Sequence, residues 1–226
     1  MPEQLTFDLP GQPALGRGDF FVSPSNAVAV DTIQTWHDWP QGKLVLVGPK
    51  GAGKTHLAHV WAALTGATII DAADLGGDVV KQAAGPVAIE DADTIAGNTA
   101  AEQALFHLHN LTLEQGQPLL ITATEPPARW GLALADLASR MQGSALVTLA
   151  APDDTLLGAV LVKLFADRQL SIDPATVSFL VARMDRSFAG AGELVGELDR
   201  AALAQQRRIT TALASEVLDK LQPKRA

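Results

Sequence analysis

The sequence predicts an α/β fold built on a parallel sheet, followed by a small all-helical domain. Three observations predict it. Short apolar runs alternate with helical segments over the first 151 residues. A glycine-rich turn of fixed pattern joins one of those runs to a helix. From Pro152 onward only helical segments follow. Strands that alternate with helices pair in parallel and are covered on both faces.

Each element has its own reason. Lys43–Val47, Ala67–Ile70, Pro86–Ile89, Pro118–Thr122 and Ala145–Leu149 are short apolar runs of strand length, which makes a five-stranded sheet. Ser25 to Trp39 is a candidate helix with Ser23 or Ser25 as its cap. His56 to Leu64 and Thr99 to Glu114 are further helices. Beyond Pro152, Asp153 or Asp154 caps a helix reaching about Arg168. Asp173-Pro174 is a cap followed by proline at the first helical position. Ser187 to Arg207 is a long helix weakened by Gly190, Gly192 and Gly196, and Thr211 to Leu221 is the last. Residues 1–18 are rich in proline and glycine without a sustained period and read as a flexible tail. The expected division is residues 1–18 as tail, 19–151 as the α/β domain and 152–226 as the helical domain.

Gly48-Pro49-Lys50-Gly51-Ala52-Gly53-Lys54-Thr55 fits the phosphate-loop pattern G-x-x-x-x-G-K-[ST] at every fixed position. The glycines let backbone N–H groups close around phosphate oxygens. Lys54 can reach the β and γ phosphates, and the Thr55 hydroxyl can ligate Mg²⁺. The helix that follows adds the positive end of its dipole. A second cluster supports the first. The apolar run Val87-Ala88-Ile89 leads into Glu90-Asp91-Ala92-Asp93. A strand ending in acids beside a phosphate loop is the Walker-B arrangement. One carboxylate, assigned to Glu90, holds the metal. The next, Asp91, orients or deprotonates the attacking water.

Composition sets the outer bounds. The formal net charge is −8 over 226 residues, which does not favour a protein whose main task is gripping DNA. Cysteine is absent, which excludes disulfides, thiol nucleophiles and thiolate metal sites. No run approaches the length of a membrane span, and the N-terminus lacks the order of a signal peptide. The expectation is a cytoplasmic protein.

A phosphate-loop core with a small helical lid resembles the AAA+ ATPases, and within them the family of the bacterial replication initiator DnaA. The resembling segments are Phe20-Phe21-Val22-Ser23-Pro24-Ser25-Asn26, the phosphate loop, Glu90-Asp91, Glu102-Gln103-Ala104-Leu105-Phe106-His107, Leu120 to Pro127, Ser139-Arg140, and Ile209-Thr210 to Val217-Leu218. The resemblance implies ATP or ADP with Mg²⁺ as ligands. It implies that Phe20, Val22 and Asn26 lie along the adenine and ribose, beside Gly48, Gly51, Ala52, Gly53, Lys54, Thr55 and His56 at the phosphates. Thr124 falls where initiators carry a polar sensor residue near the γ-phosphate. Arg140 matches the arginine finger, which acts on a neighbouring subunit's nucleotide. The lid's sensor arginine is a departure, because the register set by Glu193-Leu194 and Leu198-Asp199-Arg200 places Gly192 there. Arg186, near the helix start, is the candidate substitute. Without that arginine, efficient self-hydrolysis is in doubt.

Two features separate the chain from the initiators themselves. The initiators continue past the lid into a DNA-binding domain, which is expected to be missing here. Gln4-Leu5-Thr6-Phe7-Asp8-Leu9 resembles the hexapeptide by which bacterial proteins dock on the replication sliding clamp. There Gln4 hydrogen-bonds at the pocket mouth, and Leu5, Phe7 and Leu9 are apolar anchors. Together these features are similar to the Hda/HdaA family of DnaA-related regulators. The implied function is docking on the DNA-loaded clamp of DNA polymerase III and stimulating hydrolysis of DnaA-bound ATP, with slow turnover of its own. The alternatives are a nucleotide-dependent adaptor or loader that completes no active site, and a small-molecule kinase, which would need an arginine-rich lid. A homo-oligomer stays open. The side chains of His56, His59, His107 and His109 have no carboxylate spacing that suits zinc. Trp36, Trp39, Trp61 and Trp130 form no stacking platform visible in the sequence.

Overall fold

The computed structural model describes residues 21–76 and 85–221. Residues 1–18, with Gln4, Leu5, Phe7 and Leu9, lie outside the described residues, as does Phe20.

In chain order the elements are α1 (Ala27–Gln34), β1 (Lys43–Val47), α2 (Lys54–Thr65), β2 (Thr68–Asp71), β3 (Val87–Glu90), α3 (Thr99–Glu114), β4 (Leu119–Ala123), α4 (Ala135–Gln142), β5 (Ala145–Thr148), α5 (Asp154–Asp167), α6 (Pro174–Val181), α7 (Phe188–Gln205) and α8 (Thr211–Leu221). The five strands pair in parallel in the order β2-β3-β4-β1-β5. The expected strands and sheet are therefore present.

β1 and β4 are buried at every position, which is why both read as apolar runs broken only by Lys43 and Thr122. Alternate side chains serve opposite faces. Val45, Val47, Ile89 and Ile121 pack with α3 and α4. Leu44, Leu46, Ala88 and Leu120 pack with α1 and α2 around Trp61. Trp39 stacks on Trp61 with ring centroids 5.4 Å apart. Burying apolar area on both faces is the main force holding the sheet.

The helices after β5 enclose a core of their own, centred on Leu161, Phe165, Leu180, Leu194, Leu198 and Leu213. The caps of α5 and α6 are ones the sequence offers, and Ser187, read there as the first helical residue, is the cap of α7. Asp153 accepts from the Leu156 N–H at 2.8 Å, and Asp173 from the Thr176 N–H at 2.9 Å. Ser187 accepts from the Gly190 N–H at 2.9 Å. α7 forms despite its glycines, because burial of Leu194, Val195 and Leu198 outweighs the local propensity.

The first helix differs from expectation. It ends at Gln34 and gives way to a 3₁₀ turn at Trp36–Asp38. Trp39 folds back to donate its indole N–H to the Thr32 carbonyl at 2.7 Å, so the chain turns before the helix can continue. Neither Ser23 nor Ser25 is the cap. The N-cap is Asn26, and it makes no side-chain cap bond. Its side chain is spent backward, accepting from the Ser23 N–H at 2.8 Å and donating to the Phe21 carbonyl at 3.0 Å.

Candidate nucleotide site and its outward arginine

The phosphate loop runs from the end of β1 into α2, the direction in which a parallel α/β sheet presents its ligands. Gly51 and Gly53 have φ of +77° and +101°, which side chains rarely tolerate. They also lack room. A Cβ on Gly51 would lie 2.4 Å from the Ser187 Cβ, and one on Gly53 would lie 2.6 Å from the Phe188 ring. The Phe188 N–H donates to the Gly51 carbonyl at 3.1 Å. The start of α7 is therefore seated directly on the phosphate loop, a contact no local pattern announces.

Lys54 is buried at the first position of α2. Its ammonium donates to the carbonyls of Gly48 at 2.8 Å and Pro49 at 3.2 Å. Burial pushes its pKa down, and the carboxylates of Asp91, Asp93 and Glu90 pull against that shift. Thr55 follows, exposed, and His56 is half-buried on the same first turn.

The three acids converge because β3 lies beside β4, which in turn lies beside β1. Glu90 closes β3, and its Oε1 is buried without a protein partner. Asp91 takes φ +52°, and its N–H donates to the Thr122 hydroxyl at 3.1 Å. The sequence alone assigns Asp93 no role. Its Oδ2 accepts from the N–H groups of Thr124 at 2.9 Å and Glu125 at 3.3 Å, while its Oδ1 is buried and unpartnered. Asp93 thus ties the acidic turn to the end of β4 and sets the position of Thr124. The D-x-D spacing was the only available signal.

These residues fit a Mg²⁺-nucleotide. The loop glycines are crowded and left-handed, one lysine is aimed inward, and two buried carboxylate oxygens lack partners. Among the described residues no group of three or more His, Cys, Asp or Glu could hold a metal by itself. Mg²⁺ in phosphate sites needs no such cage, since one or two protein oxygens plus phosphate and water complete its shell.

Around the loop, Phe21 and Val22 are exposed whereas Asn26 is buried. Asn26 therefore shapes the segment and does not offer a free amide. The same segment is fastened to the lid, since the Ser25 N–H donates to Asp153 at 3.3 Å. Arg186 donates to Asp154 at 2.6 Å and to the Pro152 carbonyl at 3.1 Å, so it already bridges the turn before α7 to the start of α5. At Gly192 an added Cβ would meet no atom within 4 Å.

Arg140 lies elsewhere. It sits exposed in the last turn of α4, with its guanidinium 5.7 Å from the centroid of the Phe106 ring on α3. Burial lowers the pKa of Lys43 and of His109, and Arg140 adds to both; α4 ends just before β5, whose Ala145 pairs with Leu44 near the start of β1. Lys43 starts β1, whereas the phosphate loop follows its other end. A five-residue strand spans about 13 Å between its first and last residues. Arg140 and this chain's own phosphate loop therefore stand at opposite ends of the sheet.

Comparison with known proteins agrees with this geometry. Residues 154–218 match the family model described as the Hda lid domain. Domain III of the Thermotoga maritima replication initiation protein DnaA superposes with a TM-score of 0.82 at 18% identity, covering 95% of this chain and all of that one. AMPPCP-bound DnaA from Aquifex aeolicus gives 0.64 at 16% identity, over 78% of this chain and 63% of that one. The Thermotoga maritima RuvB branch-migration motor also gives 0.64, at 20% identity, over 79% and 61%. Among the described residues no helix is long and apolar enough to cross a membrane. The chain therefore has the fold of DnaA domain III, and its residues 154–218 match the lid domain of the Hda family.

Proposed function

We propose that this protein is a regulator of replication initiation that acts on the ATP held by DnaA. The observation that carries the reading is the location of Arg140, exposed and a sheet's length from its own phosphate loop. An arginine so placed can serve a nucleotide only on a neighbouring molecule. There its planar guanidinium meets charge that develops on the transferring phosphoryl group. The Hda-type lid and the DnaA-like core support DnaA as that neighbour, since related AAA+ surfaces can pair with one another.

In this chain, ATP or ADP with Mg²⁺ would be held by Gly48, Gly51, Ala52, Gly53, Lys54, Thr55 and His56 at the phosphate end, with Phe20 and Val22 toward the base. Lys54, which donates to the Gly48 and Pro49 carbonyls, would turn its ammonium to the phosphates of a bound nucleotide. Glu90 offers its buried oxygen to the metal. Asp91 is the water-facing carboxylate, and Thr124 is held near it through Asp93. With Gly192 at the sensor register and Arg186 engaged to Asp154, neither residue offers a free cation there, which supports slow self-hydrolysis. Gln4, Leu5, Phe7 and Leu9 dock the chain on the sliding clamp, so that the arginine is delivered where replication is under way.

The test is single-turnover hydrolysis of DnaA-bound ATP in the presence of DNA-loaded clamp. Arg140→Ala is expected to abolish stimulation while nucleotide and clamp affinities stay near wild type. Fingers supplied in trans are worth about 10³–10⁵ in rate. Lysine at this position should rescue poorly, because a point charge cannot reproduce the planar fork. Full stimulation by Arg140→Ala would favour the adaptor reading instead.

A further inference from the structure

α4 carries Arg140 but has no side-chain cap of its own. Its N-cap is Leu134, an aliphatic residue. The N–H groups at the entry to this helix are satisfied from another element. Glu102, on the first turn of α3, is 1% exposed, and its carboxylate accepts three backbone bonds. Oε2 accepts from the Leu134 N–H at 2.7 Å, and Oε1 from the Ala133 N–H at 3.2 Å and the Gly97 N–H at 2.9 Å. Burial alone would push this carboxyl up, but the three donors outweigh it and hold its pKa below the usual carboxylate range.

The three donors come from two places. Gly97 ends the turn that begins with Asp91 and Asp93. Ala133 and the N-cap Leu134 lead into the helix whose last turn holds Arg140. One buried charge therefore joins the acidic turn of this chain's own nucleotide site to the base of the helix that bears the outward arginine. We infer that Glu102 is a positioning residue for Arg140, setting the direction in which α4 presents the guanidinium to a neighbouring molecule's nucleotide. This rests on the trans-acting reading of Arg140.

The lever arm explains why the bond matters. Six residues separate Leu134 from Arg140, about 9 Å along a helix at 1.5 Å per residue. A tilt of roughly 10° at the entry moves the arginine Cα by about 1.5 Å, and a misplacement of about 1 Å can cost about 10²-fold in rate. Charge is needed as well as shape. Glutamine would place an NH₂ donor where backbone N–H donors already point, so at least one of the three bonds is lost.

The experiment uses the full chain, with DnaA-bound ATP and DNA-loaded clamp. Glu102→Gln is expected to lower the maximal stimulated rate about 10- to 100-fold. The half-saturating concentration of this protein, and its own ADP affinity, should stay within about twofold. In an Arg140→Ala background, Glu102→Gln should cause no further loss, because residues acting through one group are not additive. Leu134→Pro deletes the shortest of the three bonds without touching the carboxylate. Proline suits the Leu134 φ of −80°, so this variant decides the matter if Glu102→Gln does not fold. A wild-type maximal rate in folded variants overturns the inference. So does a loss that appears equally in half-saturation and ADP affinity, or one that persists after Arg140 is removed. If Arg140→Ala alone stimulates normally, the trans-acting reading has failed, and that result is seen without any change at Glu102.

Discussion

The buried pair Lys43–His109 makes a prediction whose size can be worked out. His109 on α3 is fully buried, and its Nε2 lies 2.6 Å from the Lys43 ammonium. The ammonium donates to Nε2, so the ring proton sits on Nδ1 and points to the Asn110 Oδ1 at 3.4 Å. Burial first, then the Lys43 charge, push the His109 pKa down to about 4; Asn110 pulls it up, and Arg140 adds to the lowering. In the unfolded chain an imidazole titrates near 6.5. As pH falls below that value the unfolded state takes up a proton that the folded state refuses. Stability is therefore complete above about pH 6.5 and lost progressively down to about 4. The full loss corresponds to about 3 kcal/mol, and about 2 kcal/mol of it falls above pH 5. With a urea dependence of about 1–3 kcal/mol per molar, the midpoint should drop by roughly 1 M between pH 7.5 and 5. Tryptophan fluorescence is a suitable probe, because all four tryptophans precede Pro152 and so report the α/β domain alone. His109→Gln keeps an acceptor for Lys43 but does not titrate. Its starting stability should be lower and its pH dependence over this range flatter. His37, His56, His59 and His107 are common to both proteins and cancel in the comparison. Parallel decline of wild type and His109→Gln would refute the reasoning.

Three further predictions concern ligands and the lid. Lys54→Ala should abolish binding of ATP and ADP in calorimetric titration, because only backbone donors would remain at the phosphates; unchanged affinity for both would remove the loop from the site. Gln4→Ala with Leu5→Ala and Phe7→Ala should eliminate clamp binding in a pull-down, with thermal stability and nucleotide affinity intact. Normal capture of clamp by that triple variant would mean the docking element lies elsewhere. Gly51→Ala should unseat the start of α7, since the new Cβ cannot share space with Ser187 at 2.4 Å and the +77° φ is strained as well. Hydrogen exchange at the Phe188 amide should quicken by about tenfold or more, and an unchanged rate would show that the contact is not what holds the lid there.

Much of this molecule is written locally. The central strands β1, β3 and β4 are legible because strands covered on both faces are mostly apolar, and the edge strands β2 and β5 are legible as short β-branched runs. The phosphate loop is legible because close backbone approach and left-handed φ demand glycine at fixed spacing. Asp153 and Asp173 announce their helices, because a side-chain oxygen must reach an N–H three residues ahead. The end of α1 is not written locally, since the bond that turns the chain there, from Trp39 to Thr32, joins residues seven apart. The rest depends on which elements the topology makes neighbours. Placing β4 between β3 and β1 brings Asp93 to Thr124 and sets three carboxylates around Lys54. Packing α3 against α4 sets Glu102 under Leu134 and Phe106 beside Arg140. Folding the lid back puts Phe188 on Gly53 and commits Arg186 to Asp154. A local pattern records what a residue needs from its own turn or strand. Hydrogen bonds and charges that cross thirty residues or more leave no period in the sequence, and only the packed structure decides them.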